Sequence, residues 1–133
     1  MTVTALCQTR STRLLIFNAI ESAGLTCGQC NTHPDRAGAP ERRPESFLMG
    51  LSTQQPHYVL ITSEYLNDPS LFEEAKRAAP TAQLILCLLP NAVETIANLW
   101  PVLDTLEFDV LCSLPDLTNC LTTLQAGHFY KSA

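Results

Sequence analysis

The stretch Leu84-Ile85-Leu86-Cys87-Leu88 places five apolar residues in direct succession. Strands with one solvent-exposed face alternate apolar and polar residues, whereas strands covered on both faces are apolar throughout. Other short apolar runs lie before and after this one, and amphipathic stretches separate them. This alternation predicts βαβ units, and therefore an α/β domain with a parallel sheet and helices on both faces. We expect the 84–88 strand to lie near the centre of that sheet.

Five such units are predicted along the chain. Ser11 or Thr12 is expected to cap the first helix, and Gly24 to end it. The segment 33–44 contains three prolines and three arginines and is predicted to be an exposed loop. Pro101 is expected to break or kink the fourth helix, because proline lacks an N–H group and clashes with the preceding turn. The predicted strands are 3–7, 25–31, 58–62, 84–88 and 109–112. The predicted helices are one through Ala23, one at 45–54, one that Asp68 or Ser70 caps and Pro80 ends, one from Asn91 and one from Pro115.

The composition limits the class of protein. A length of 133 residues suits one domain with a single core. The net charge of −5 gives no basic surface for nucleic acid. No apolar run approaches the roughly 20 residues that span a bilayer, and the N-terminus has no signal-peptide pattern. We therefore predict a cytoplasmic domain without membrane contact, which would reach DNA only through a C-terminal domain outside this segment.

The residues that follow four of the predicted strands carry no charge. Open parallel sheets bind ligands beyond the carboxyl ends of their strands, so reactive groups would be expected there. The segment 8–12 also lacks the glycines of a phosphate-binding loop. We therefore predict that the protein is not an enzyme and uses no cofactor. The uncharged positions are Gln8, Thr9, Thr62, Ser63, Leu89 and Ser113.

The segment Cys27-Gly28-Gln29-Cys30 is a competing candidate site. A C-x-x-C pair can form a redox-active disulfide or supply two thiolates to zinc, and His33 lies close in sequence. The pair is predicted along a strand and not at a helix N-terminus, and no fourth ligand has motif spacing. A thiol-redox or metal-sensing role is therefore kept as the alternative function. The remaining thiols, Cys7, Cys87, Cys112 and Cys120, are predicted to be small core residues.

Three segments carry a resemblance to a known family: Pro56-His57-Tyr58-Val59-Leu60-Ile61-Thr62, Ala79-Pro80-Thr81-Ala82 and Ala126-Gly127-His128-Phe129-Tyr130. In this order of elements they resemble receiver domains of bacterial response regulators, especially those joined to a LuxR/NarL-type helix-turn-helix. The resemblance implies a flavodoxin-like receiver fold with a doubly wound five-stranded sheet in the order 2-1-3-4-5. It implies that 1–133 is a single domain, and that it can be the N-terminal part of a longer transcriptional regulator.

The phosphorylation chemistry of the family does not carry over to this chain. Receivers accept phosphate on an aspartate that ends the third strand, and they hold Mg²⁺ with an acidic pair after the first strand. A hydroxyl residue after the fourth strand and a lysine after the fifth complete their site. Val110 stands where receivers have an aromatic switch residue. The corresponding site positions are Thr62, then Gln8 and Thr9, then Leu89 and Ser113.

Neutral side chains are poor Mg²⁺ ligands, since this ion prefers anionic oxygens in octahedral geometry. The resemblance thus implies a degenerate receiver, or pseudo-receiver, that regulates through binding or oligomerisation and not through phosphorylation. By analogy it implies a homodimer or another protein partner. The dimer face would be formed by the first and last helices, or by the fourth helix with the last strand and last helix.

Overall fold

A computed structural model describes residues 1–32, 45–66, 68–90 and 106–126. The strands are β1 (Thr2–Cys7), β2 (Thr26–Thr32), β3 (Tyr58–Thr62), β4 (Gln83–Leu88) and β5 (Val110–Ser113). The helices are α1 (Arg10–Ser22), α2 (Glu45–Gln54), α3 (Pro69–Ala78) and α4 (Leu117–Ala126), with 3₁₀ turns at Ser63–Tyr65 and Leu114–Asp116. The predicted loop 33–44 and the predicted helix from Asn91, including its proposed break at Pro101, lie outside the described residues.

The five strands form one parallel sheet in the order β2-β1-β3-β4-β5. This confirms the predicted fold class and strand order. All five residues of β3 are buried, and so is the whole 84–88 run in β4. Both strands are therefore internal and covered on both faces, as the continuous apolar pattern predicts.

Two apolar layers enclose the sheet. The first layer joins alternate strand residues such as Val3 and Ala5 to Ile16 and Ile20 of α1 and to Leu121 of α4. The second layer joins the opposite strand faces to α2 and α3, and its largest fully buried side chains include Phe47, Leu51 and Phe72. Because strand side chains alternate between faces, one sheet supplies both layers.

The ends of some elements differ slightly from the predictions. Helix α1 begins at Arg10, and Thr9 caps it by accepting a hydrogen bond from Thr12 N at 3.3 Å, so the cap precedes the predicted Ser11 or Thr12. Gly24 has φ +80° and ends the helix as predicted, because a side chain disfavours that conformation. In β2 the register with β1 shifts by one residue at Gly28, which forms a bulge.

None of the helices in the described ranges has the length and apolar content that a bilayer crossing requires.

Candidate functional site

The carboxyl ends of the five parallel strands all lie at the same end of the sheet. We call the surface there the strand-end crevice. Adjacent ends are in register, with Leu6 opposite Ile61, Thr62 opposite Cys87 and Leu88 opposite Ser113. The predicted pocket positions therefore all lie at this end of the sheet. They are Gln8 and Thr9 after β1, Thr62 at the end of β3, Leu89 after β4 and Ser113 at the end of β5.

These positions differ in accessibility. Thr62 is completely buried, and Leu89 is only 6% exposed. Gln8 and Ser113 are partly exposed, and Thr9 is exposed. A ligand that enters the crevice would therefore meet Gln8, Thr9 and Ser113 before it met the side chain at the end of the central strand.

A carboxylate that the strand-end pattern did not predict lies in the crevice. Glu64 lies in the 3₁₀ turn directly after β3, and its Oε1 accepts a hydrogen bond from Thr62 Oγ1 at 2.9 Å. The same oxygen accepts the backbone N–H of Gln8, also at 2.9 Å. The expectation of an uncharged crevice is therefore wrong, because the turn folds the side chain of Glu64 back over the ends of β1 and β3.

The two residues beside Glu64 also bind strand ends. The hydroxyl of Ser63 accepts the backbone N–H of Leu89 at 3.0 Å, just after β4. The buried hydroxyl of Tyr65 donates to the carbonyl of Cys7, the last residue of β1, at 3.2 Å. Three successive residues thus fasten the ends of three strands to one another. We refer to Ser63, Glu64 and Tyr65 as the 63–65 clasp.

The chemical capacity of this arrangement is limited by burial. A threonine hydroxyl that donates to a carboxylate resembles a nucleophile beside its base. However, Thr62 is fully buried, so no substrate can reach its hydroxyl in this conformation. The bond between Thr62 and Glu64 therefore holds the strand end in place and does not activate a nucleophile.

The residues of the crevice do not fit a Mg²⁺ site of the kind that receiver domains have. The carboxylate of Glu64 lies at the strand ends, and its Oε1 already accepts two hydrogen bonds. The carboxylate of Asp109 lies at the other end of the sheet, beside the amino ends of the strands. There it accepts a hydrogen bond from Leu84 N and forms an ion pair with Lys76. Asp68 accepts the hydroxyl of Ser70 in the turn before α3. Among the described residues, no three His, Cys, Asp or Glu side chains are grouped to hold a metal ion.

The alternative thiol site lies in an edge strand. Both Cys27 and Cys30 belong to β2, and the bulge at Gly28 brings them opposite Val3 and Ala5 of β1. A strand lacks the positive dipole end that lowers thiol pKa values at helix N-termini. The side chain of Cys30, like His33, lies outside the described part. The redox or metal-sensing role of this pair stays a prediction.

A different group of thiols comes together in the structure. Cys87 on β4 and Cys112 on β5 are register partners, and Cys120 on α4 packs into the same apolar layer. The hydrogen bond from Cys120 alone would lower the pKa of Cys112. The hydrogen bond to Cys87, burial and the nearby negative groups outweigh it and raise that pKa to about 12. The pKa of Cys120 is also raised, first by its hydrogen bond with Cys112 and then by burial.

We expect this cluster to make the protein less stable at alkaline pH. A thiol whose folded pKa lies above its unfolded value contributes stability below the unfolded pKa and loses that contribution as pH rises to the folded pKa. For Cys112 this window runs from the ordinary thiol pKa of 9.0 to the raised pKa of about 12. Its loss of stability should be at most about 1.4 kcal/mol per pH unit. Urea unfolding at pH 8 to 11 checks this, and Cys112→Ala should flatten the decline; an identical slope in both proteins would contradict it.

No protein-family model matches the sequence. No curated protein matches it either.

Solved structures share the fold. A crystal structure of a response regulator from Thermotoga maritima matches with a TM-score of 0.60 and 15% identity, over 94% of each chain. A solution structure of a response regulator protein from Burkholderia multivorans matches with a TM-score of 0.50 and 12% identity, over 93% of this chain and 94% of that chain. A de novo designed Rossmann 2x3 fold protein matches with a TM-score of 0.54 and 10% identity, over 96% and 90%. The chain therefore has the five-stranded, flavodoxin-like fold found in response regulator receivers.

Proposed function

We propose that the chain is a phosphorylation-independent receiver-like regulatory module. It acts through contacts with a second copy or another protein, as part of a LuxR/NarL-type transcription regulator. The acidic composition supports protein contacts over direct DNA binding, which would fall to a C-terminal domain. A cytoplasmic location is part of this proposal, because transcription regulators act there.

The observation that carries the proposal is the 63–65 clasp over a buried Thr62. In the receiver resemblance, Thr62 stands at the phosphoacceptor position, and a hydroxyl cannot form the acyl phosphate that an aspartate forms. The clasp adds a structural reason, because the Oε1 atom of Glu64 already accepts two hydrogen bonds from the protein itself at these strand ends. Its bonds to β1, β3 and β4 favour one arrangement of the strand ends, with no phosphate needed to select it.

Acetyl phosphate with Mg²⁺ tests the proposal. We expect no hydroxylamine-labile phosphate on the protein, measured by intact-protein mass spectrometry after incubation at neutral pH. A Glu64→Gln variant treated in parallel would show whether any labile phosphate lies on the carboxylate of the clasp. Stoichiometric labile phosphate on the wild-type protein would refute phosphorylation-independent action.

A further inference from the structure

Helix α1 carries an apolar surface that its own domain does not cover. Of the six large apolar side chains that are exposed in the described part of the chain, three belong to α1. Leu14 is 52% exposed, Leu15 54% and Phe17 40%. Exposed apolar side chains that cluster mark interaction sites more often than scattered ones do.

Leu14 and Phe17 share one face of the helix with two charged residues. At 3.6 residues per turn, positions 10, 14, 17 and 21 fall within about 60° of arc. Arg10 and Glu21 are both exposed, and within the described part of the chain neither forms an ion pair. We call Arg10, Leu14, Phe17 and Glu21 the outer α1 face. It points away from the buried residues of the helix, which are Ile16, Ala19 and Ile20.

This face is complementary to itself. A two-fold axis through its middle would lay two α1 helices antiparallel. Leu14 of one copy would then lie against Phe17 of the other, and Arg10 against Glu21. Each copy supplies both members of each pair, as an isologous interface requires. We infer that the outer α1 face is the contact between two copies of this chain, which deepens the homodimer of the proposed function by naming its surface.

The expected contact is small. Each copy buries two apolar side chains, and the charged pairs lie at its solvent-exposed rim. Exposed ion pairs add little affinity. Like charges that face each other oppose assembly, so the charge pattern of the outer α1 face sets the register of the two helices. The dimer should therefore be weak and concentration-dependent, and it should weaken when either the apolar centre or the charge pattern is changed.

The apolar centre is tested first by sedimentation equilibrium over a range of protein concentrations. Leu14→Ala with Phe17→Ala should raise the dissociation constant by roughly tenfold or more. Alanine keeps the helix propensity high, so the fold should persist, and circular dichroism would verify that. Leu15→Ala is the matched control, because Leu15 is equally exposed on the same helix but lies outside the outer α1 face. This control should leave dimerisation unchanged.

Charge reversals then test the antiparallel arrangement. Arg10→Glu alone and Glu21→Arg alone each create two like-charge contacts across the axis, so each variant should dimerise less. An equimolar mixture of the two variants should recover dimers, since both contacts are attractive in the mixed pair. Neither change should harm the monomer, because an acidic residue in the first turn and a basic residue in the last turn suit the helix dipole.

Three results would overturn the inference. The protein could be a monomer at every concentration, or the Leu14 and Phe17 substitutions could leave the dissociation constant of the dimer unchanged. The mixture of charge variants could also dimerise no more than each variant does alone. A dimer of the second kind would point to another face of the domain. These outcomes are independent of the acetyl phosphate experiment, so failure of this interface and failure of phosphorylation-independent action can be distinguished.

Discussion

Replacing Thr62 by aspartate, the residue type of the receiver position that the resemblance assigns to Thr62, is expected to lower the free energy of unfolding by about 3–5 kcal/mol at pH 7. Thr62 is fully buried, and its hydroxyl donates to Glu64 Oε1 at 2.9 Å. The introduced carboxylate would replace that donor with a second negative charge, at a fully buried position beside the carboxylate of Glu64. Urea unfolding of the wild-type and Thr62→Asp proteins measures the loss.

Two controls separate charge from shape in this experiment. Thr62→Val has nearly the same volume and should cost only about 1 kcal/mol, because it removes one hydrogen bond. Adding Glu64→Gln to Thr62→Asp should recover part of the loss, since the amide can donate to the new carboxylate. The folded pKa of that carboxylate would be raised, so its penalty should shrink as pH falls towards the unfolded value. A Thr62→Asp protein as stable as Thr62→Val would show that the crevice tolerates a second acid.

Glu64→Ala is expected to destabilise the protein by about 2 kcal/mol. The change leaves the Gln8 N–H and the buried Thr62 hydroxyl without their acceptor. Glu64→Gln should cost less, because its amide oxygen can still accept one of these bonds without the charge. Hydrogen exchange at the Gln8 amide provides a local readout and should become faster in Glu64→Ala than in the wild type.

Glu73→Ala is the matched control for that substitution. Glu73 is an exposed glutamate on α3, and its removal should change stability by less than about 0.5 kcal/mol. If the two alanine variants were equally stable, the hydrogen bonds of Glu64 would contribute nothing to the stability of the fold.

The strands were predictable because their apolar patterns are local. The run 84–88 predicted an internal strand, and each observed strand lies within about one residue of its expected position. The strand order came from the receiver resemblance, and the structure confirms it. The cap at Thr9 was missed because Thr9, Ser11 and Thr12 all have side chains that suit an N-cap, and only the backbone geometry distinguishes them.

Features that depend on a turn or on register were not predictable in the same way. Glu64 follows the last strand residue by two positions, and only the 3₁₀ geometry returns its carboxylate to the crevice. Its signal in the sequence is the acidic residue next to the strand end. Cys87, Cys112 and Cys120 looked like separate core residues, because their proximity depends on the pairing of β4 with β5 and on the packing of α4.

The edges of the sheet affect how the protein behaves in concentrated solution. In the described sheet, β2 at one edge contains the bulge at Gly28, and β5 at the other edge has only four residues. Bulged or very short edge strands are poor templates for adding strands from neighbouring molecules. The fold therefore discourages fibril growth along its backbone edges, and we expect crowded molecules to stay soluble instead of joining into amyloid-like stacks.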